Sequence, residues 1–151
     1  MRSEQFDRLP SHRAQRWAGF GKWDEVYFQS LIGLVVEEIK LDYCRMRLPW
    51  RQEITQPTGV AHGGAIAALI DTVVVPAIGG GYDDPVGFST VSLSIQFRGA
   101  LTQQDAIAEG WVSQRGRSMV FCDVEVVGAN DGRQIATGQP VFKLIGARGG
   151  S

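Results

Sequence analysis

Asp71 is the only carboxylate in the stretch Ala61-His-Gly-Gly-Ala-Ile-Ala-Ala-Leu-Ile-Asp-Thr-Val-Val-Val75, which is otherwise mostly small or branched apolar residues. An isolated charge in such surroundings costs several kcal/mol, so the acid must be paired, hydrated or neutral. Several arrangements satisfy that demand. Asp71 can be a buried hydrogen-bonded acid, the partner of an arginine, part of a helix edge that reaches solvent, or a base or nucleophile in a wet crevice. The glycines ahead of it, Gly63 and Gly64, carry a second chemical possibility. The first turn of a helix leaves backbone N–H groups unpaired at its partly positive end, and glycine keeps them accessible to an oxygen that gains negative charge. The same glycines can equally serve close packing or a tight turn.

Spacing limits how these groups can cooperate. Gly64 and Asp71 are seven residues apart, so on a helix they lie within about 20° of one face but roughly 10 Å apart along the axis. One chain cannot bring the Gly63 amide and the Asp71 carboxylate to the same carbonyl. Two copies of the helix, side by side in opposite senses, can. A functional reading therefore expects a two-fold dimer with composite sites.

The elements that must hold these residues follow from pattern. A helix is expected from about Gly64, with a kink near Thr72, because Ala65 to Leu69 favour helix while Val73-Val-Val75 and Pro76 oppose it. Gly79-Gly-Gly81 is expected to stop it. Residues 27–48 read as strand, with a phase slip at Tyr43-Cys44 that signals a bulge or sharp bend. Residues 49–60 read as loop. Val91-Ser-Leu-Ser-Ile-Gln-Phe97 alternates as a half-buried strand. Strands are also expected over 107–113, 119–127 and 135–144, with a hairpin turn at Asn130-Asp-Gly132. This order predicts an α+β fold: a curved antiparallel sheet wrapped around one central helix that is covered on every side. Residues 1–24 are expected as a helical or irregular extension laid on the body, with Ser11 as helix cap. Residues 25–146 form the domain, and 147–151 a flexible tail.

The totals exclude several classes. A chain of 151 residues is most simply one domain. A hydrophobic fraction of 44% argues against disorder, and a net charge of −1 gives no pull toward nucleic acid or anionic membrane. No apolar run is long enough to span a bilayer, and the N-terminus lacks a signal-peptide core, so a reducing cytoplasm is the expected location. Cys44 and Cys122 have no metal or redox spacing and are expected as inert packing thiols. Only His12 and His62 are available as histidines, which excludes a His-rich metal site.

Gly59-Val-Ala-His62-Gly-Gly64 followed by Asp71 resembles the signature of the hotdog-fold acyl-CoA thioesterases, in particular the phenylacetate-pathway (PaaI-like) group. The resemblance extends to Ser89-Thr-Val-Ser-Leu-Ser-Ile-Gln-Phe97, Gly116-Arg-Ser118 and Asp131-Gly132, and covers roughly residues 30–145. It implies hydrolysis of a thioester by dimers that often pair into tetramers, with no metal or redox cofactor; CoA is part of the substrate. It implies that the Gly63 amide polarises the thioester carbonyl. Asp71 from the neighbouring subunit then attacks or activates water. Gln56 stands where the family commonly has Asn, one methylene longer. An assisting hydroxyl falls at Thr90, or at Ser89 if the register moves by one. His62 is expected to orient the loop. Arg115, Gly116, Arg117 and Ser118 match the turn where relatives contact the nucleotide of CoA, although two solvated arginines on a turn would look the same. Two other functions fit a hotdog chain: a non-catalytic acyl-CoA or lipid binder, and a hydratase or dehydratase, which would need a histidine–acid pair.

Overall fold

A computed structural model of the chain describes residues 1–145; the expected tail at 147–151 lies outside them. A long helix α3 (Gly63–Gly79) crosses the inner face of a six-stranded antiparallel sheet. The strands are β1 (Val35–Lys40), β2 (Tyr43–Leu48), β3 (Gly87–Phe97), β4 (Ala106–Arg115), β5 (Met119–Gly128) and β6 (Gln134–Ile145). Their order across the sheet is β1-β2-β4-β5-β6-β3, which leaves β1 and β3 as the edges. The architecture is the expected α+β one, a sheet curled around a central helix. Among the described residues no helix is long and apolar enough to cross a membrane.

α3 forms through Val73-Val-Val75 and Pro76 because packing overrides local preference. Leu69, Ile70, Val73, Val74, Ala77 and Ile78 are fully buried against Cys44, Met46, Ala106, Ala108, Val126 and Ala136 of the sheet. The approach is so close that a methyl at Gly138 would lie 2.6 Å from Ile70 Cγ2, and one at Gly110 2.8 Å from Val73 Cγ1. Cys44 and Cys122 are free thiols inside this core. Burial pushes the Cys44 thiol far up and the Cys122 thiol up to about 12, so neither ionises at neutral pH.

Three local expectations change. Residues 28–31 are not strand but one helical turn, α2 (Phe28–Leu31). The phase slip marks a reversal of the chain: Leu41-Asp42 is a tight turn between β1 and β2, with Asp42 at φ 64°, and Tyr43 pairs back to Lys40. In β3 the alternation is broken by a bulge between Thr90 and Ser92, which puts Val91 outside the apolar row at 51% exposed. Before the bulge Phe88 and Thr90 face inward; after it Leu93, Ile95 and Phe97 do, opposite Pro140, Gly138 and Ala136.

The N-terminal residues are tied to this body. Phe6 stacks on Tyr43 at 5.0 Å between ring centroids, and Arg2 Nη1 donates to Glu109 Oε1 at 2.8 Å. Helix α1 (Ser11–Trp17) lays the Trp17 indole across the end of α3, where a methyl at Gly79 would lie 1.9 Å from Trp17 Cζ2. The first glycine of the 79–81 run therefore receives a tryptophan, a role beyond stopping the helix.

Candidate active site

The segment before α3 is pinned on both sides. Ala61 N–H donates to Leu101 O at 2.9 Å and His62 N–H to Ile54 O at 2.7 Å. His62 then acts as the helix cap: its Nδ1 accepts the Gly64 N–H at 2.7 Å, which places the ring proton on Nε2. A methyl at Gly64 would lie 2.9 Å from that nitrogen, so glycine is what admits the imidazole. The His62 carbonyl takes the Ala65 N–H at 2.9 Å and the Ile66 N–H at 3.4 Å. Of the first-turn donors, the Gly63 N–H is left with no acceptor among the described residues, and Gly63 is exposed. The cap thus orients the loop and leaves one amide free at the positive end of the helix.

Asp71 lies two turns further on. It is half-buried, and its Oδ1 accepts the Thr90 hydroxyl at 2.7 Å. No arginine or lysine pairs with it among the described residues. The bulge in β3 explains why Thr90 makes this contact: it holds Thr90 on the inward face beside Phe142, while Ser89 pairs with Lys143 on the outer face. The helix is not covered all round. Gly64, Ala67, Ala68, Asp71 and Val75 form a stripe that the sheet leaves partly open, and the acid lies within that stripe. The isolated charge is tolerated because its side of the helix reaches solvent in the single chain.

The remaining candidates lie on two turns, Gln56 before α3 and residues 115–118 between β4 and β5. Gln56 folds back on its own turn, its Oε1 accepting the Thr58 N–H at 2.8 Å, with Gly59 at φ 89° closing the loop. It borders a groove of about 430 Å³ with Trp50, Thr55 and Gln103. Arg115 is not a free arginine on a turn. Its Nε and Nη2 donate to Asp42 Oδ1 at 3.0 and 2.7 Å, and Nη2 also reaches the Ala77 and Ile78 carbonyls at 3.1 and 3.0 Å. It adds a charged donor to two carbonyls at the end of α3, as a cation at a helix C-terminus does. Gly116 N–H closes the turn onto Met119 O, Ser118 O accepts from Leu144 N–H, and Arg117 is exposed. Among the described residues no three His, Cys, Asp or Glu side chains converge as a metal would require.

A protein-family model described as the thioesterase superfamily matches residues 58–135, from the turn before α3 to the start of β6. The chain belongs to the thioesterase superfamily. No curated protein matches it. Among solved structures, this superfamily member is similar to S. sahachiroi AziG, at 27% identity and a TM-score of 0.72, over 78% of this chain and 95% of that one. It also superposes on the E. coli PaaI protein of the phenylacetic acid degradation operon, at 17% identity and a TM-score of 0.78, over 90% of this chain and 96% of that one. Zebra fish Thioesterase Superfamily Member 2 gives 21% identity and a TM-score of 0.74, over 88% and 96%. The last two likenesses are of fold, the hotdog fold that PaaI-like thioesterases share.

Sequence reasoning passed over one residue beside the head of α3. Phe97 was visible only as the last apolar residue of an alternating strand. In the structure its ring stands beside Gly63 and is 57% exposed although it faces inward. Alternation could place it on that face, but not beside the helix start.

Proposed function

We propose that the protein hydrolyses an acyl-CoA thioester to the free acid and CoA. The observation that carries this reading is that the single carboxylate of α3 lies on the helix's open stripe and receives a hydroxyl from Thr90. The free Gly63 N–H at the head of the same helix supplies the complementary group.

The thioester carbonyl oxygen docks on the Gly63 N–H. Asp71 of a second copy takes a proton from water, and the oxygen of that water adds to the carbonyl carbon. The tetrahedral oxyanion is held by the amide until it collapses and the C–S bond breaks, and the leaving thiolate takes the proton from Asp71 to give CoA and restore the carboxylate. A direct attack by the carboxylate, through a mixed anhydride that water then opens, uses the same groups. Thr90 fixes the carboxylate's orientation, and His62 fixes the amide's. Neither route calls on a metal or redox group. Arg117 is the arginine of the 115–118 turn left to meet an anionic CoA tail; Arg115 holds the helix end that positions the turn.

The composite site requires a dimer. β3 is a long edge strand paired only with β6, and its inward residues Leu93 and Phe97 are 38% and 57% exposed. Such an edge is a template for pairing. Joining two β3 edges about a two-fold axis would cover these residues and set the open stripes of two helices against each other.

Thiol release from short, medium, long and aryl acyl-CoAs tests the reading. The Asp71→Ala variant should lose roughly 10²–10⁴ in rate while staying folded. Turnover at the wild-type rate would remove Asp71 from the mechanism, and tight binding of intact acyl-CoA without thiol release would make the protein a binder. A single turnover in ¹⁸O-water separates the two routes, since label appears in Asp71 only if it is the nucleophile.

A further inference from the structure

The N-terminal extension leaves a groove of about 430 Å³ against the edge strand β1. Leu9, Trp17 and Phe20 line it from the extension, and Leu34, Val36 and Ile39 from the strand and the residue before it. The groove lies outside the catalytic pair. Trp17 rests on Gly79, which is eight residues past Asp71 and sixteen past Gly63, about 12 and 24 Å along α3.

The polar groups of the lining are one-sided. Its carboxylates are taken: Glu37 accepts from Arg45 Nε at 3.0 Å and from Arg47 Nε at 2.7 Å, and Glu38 accepts from Arg45 Nη1 at 3.1 Å. Two donors are not taken. Trp17 Nε1 is buried with no hydrogen-bond partner, a state that native folds leave rare. Lys22, the third charged residue of the lining, is exposed and pairs with no acid among the described residues. Apolar walls, an unmade N–H bond and a free ammonium select a guest that brings acceptors and negative charge on an apolar body. We infer that the groove binds a monocarboxylate with an apolar chain. Its carboxylate accepts from Lys22 and from the Trp17 N–H, and its chain lies against the apolar walls. An amine of the same length would add donors where two already lack acceptors, and would meet the like charge of Lys22. The site does not rest on the thioesterase reading.

Isothermal titration with octanoate and with octylamine tests this. Octanoate should bind the wild type, and octylamine should bind about tenfold more weakly or worse. Lys22→Ala should weaken octanoate binding about fivefold, the scale of an exposed ion pair. Trp17→Phe keeps a ring and removes the N–H; it should weaken binding about tenfold, the scale of a hydrogen bond to a charged group. Gly63→Val, altered at the other end of α3, should bind octanoate as the wild type does. Circular dichroism checks that each variant keeps the wild-type fold. Binding that is unchanged in both Lys22→Ala and Trp17→Phe, or that is lost in Gly63→Val alone, would put the acid elsewhere and overturn the inference. Octylamine binding as tightly as octanoate, or no octanoate binding at millimolar concentration, would overturn it as well. Thiol release from acyl-CoA decides the thioesterase reading separately.

Discussion

At the scale of the residue, two neighbouring glycines have different reasons to exist. Gly64 makes room for the His62 imidazole, which closes the helix cap. Gly63 has no steric or conformational need to be glycine, and its N–H is the one first-turn donor left without an acceptor among the described residues. Gly63→Ala is therefore expected to leave the melting temperature unchanged or slightly raised, since alanine is the better helix former. If the Gly63 N–H receives a carbonyl, the same change should lower kcat/KM by about 10²-fold, the scale of an oxyanion donor held off its target. A melting curve and a thiol-release assay on one preparation decide it; a variant that stays fully active would return Gly63 to a packing role.

At the scale of the element, the start of α3 is held by what lies beneath it. Asp105, just before β4, accepts the Trp50 N–H at 2.7 Å and Arg47 Nη1 at 2.9 Å, and so fixes the chain between β2 and the helix. The Trp50 N–H first, and then the Arg47 guanidinium, hold its carboxyl below the usual carboxylate range against the opposing effect of burial. Glu37, between Arg45 and Arg47, is lowered as well: burial opposes, and the two guanidiniums outweigh it. A carboxyl lowered on folding contributes stability that is complete above its unfolded pKa of about 3.9 and is lost as pH falls through the folded value. Urea unfolding midpoints should hold from pH 7 to about 5 and then fall toward pH 3, with a shallower acid-side fall in Asp105→Asn. An equal fall in both proteins would mean that the Trp50 and Arg47 contacts do not form in solution. The bulge in β3 belongs to this scale too. One extra residue moves Thr90 to the inner face and Val91 off it, which is why regular alternation misplaces Val91.

At the scale of the whole molecule, the chain leaves unfinished what a second copy can finish: an open helix stripe, an unpaired apolar edge, and an amide and an acid too far apart to meet. Mixing makes this measurable. Gly63→Val and Asp71→Ala should each be inactive alone. Unfolded together and refolded as random dimers, they should recover about a quarter of wild-type activity, because half the dimers are mixed and each mixed dimer has one intact site. Recovery of nothing would mean that both groups serve one chain's site. Much of the design was legible beforehand. The spacing of Gly64 and Asp71, the apolar run between them and the alternating strands are one-dimensional periodicities, and periodicity follows directly from backbone geometry. What residue order could not carry was the contact made across it. Arg115 reads as a surface arginine until Asp42 and the end of α3 are beside it, the Gly79 run reads as a stop signal until Trp17 lies on it, and Phe97 reads as the end of a strand until Gly63 stands opposite. The sequence by itself determined the helix, the strands and the chemical groups on offer. Only the tertiary structure decided which of those groups are occupied by the fold and which are left free, because close packing assigns each side chain its neighbours from distant parts of the chain.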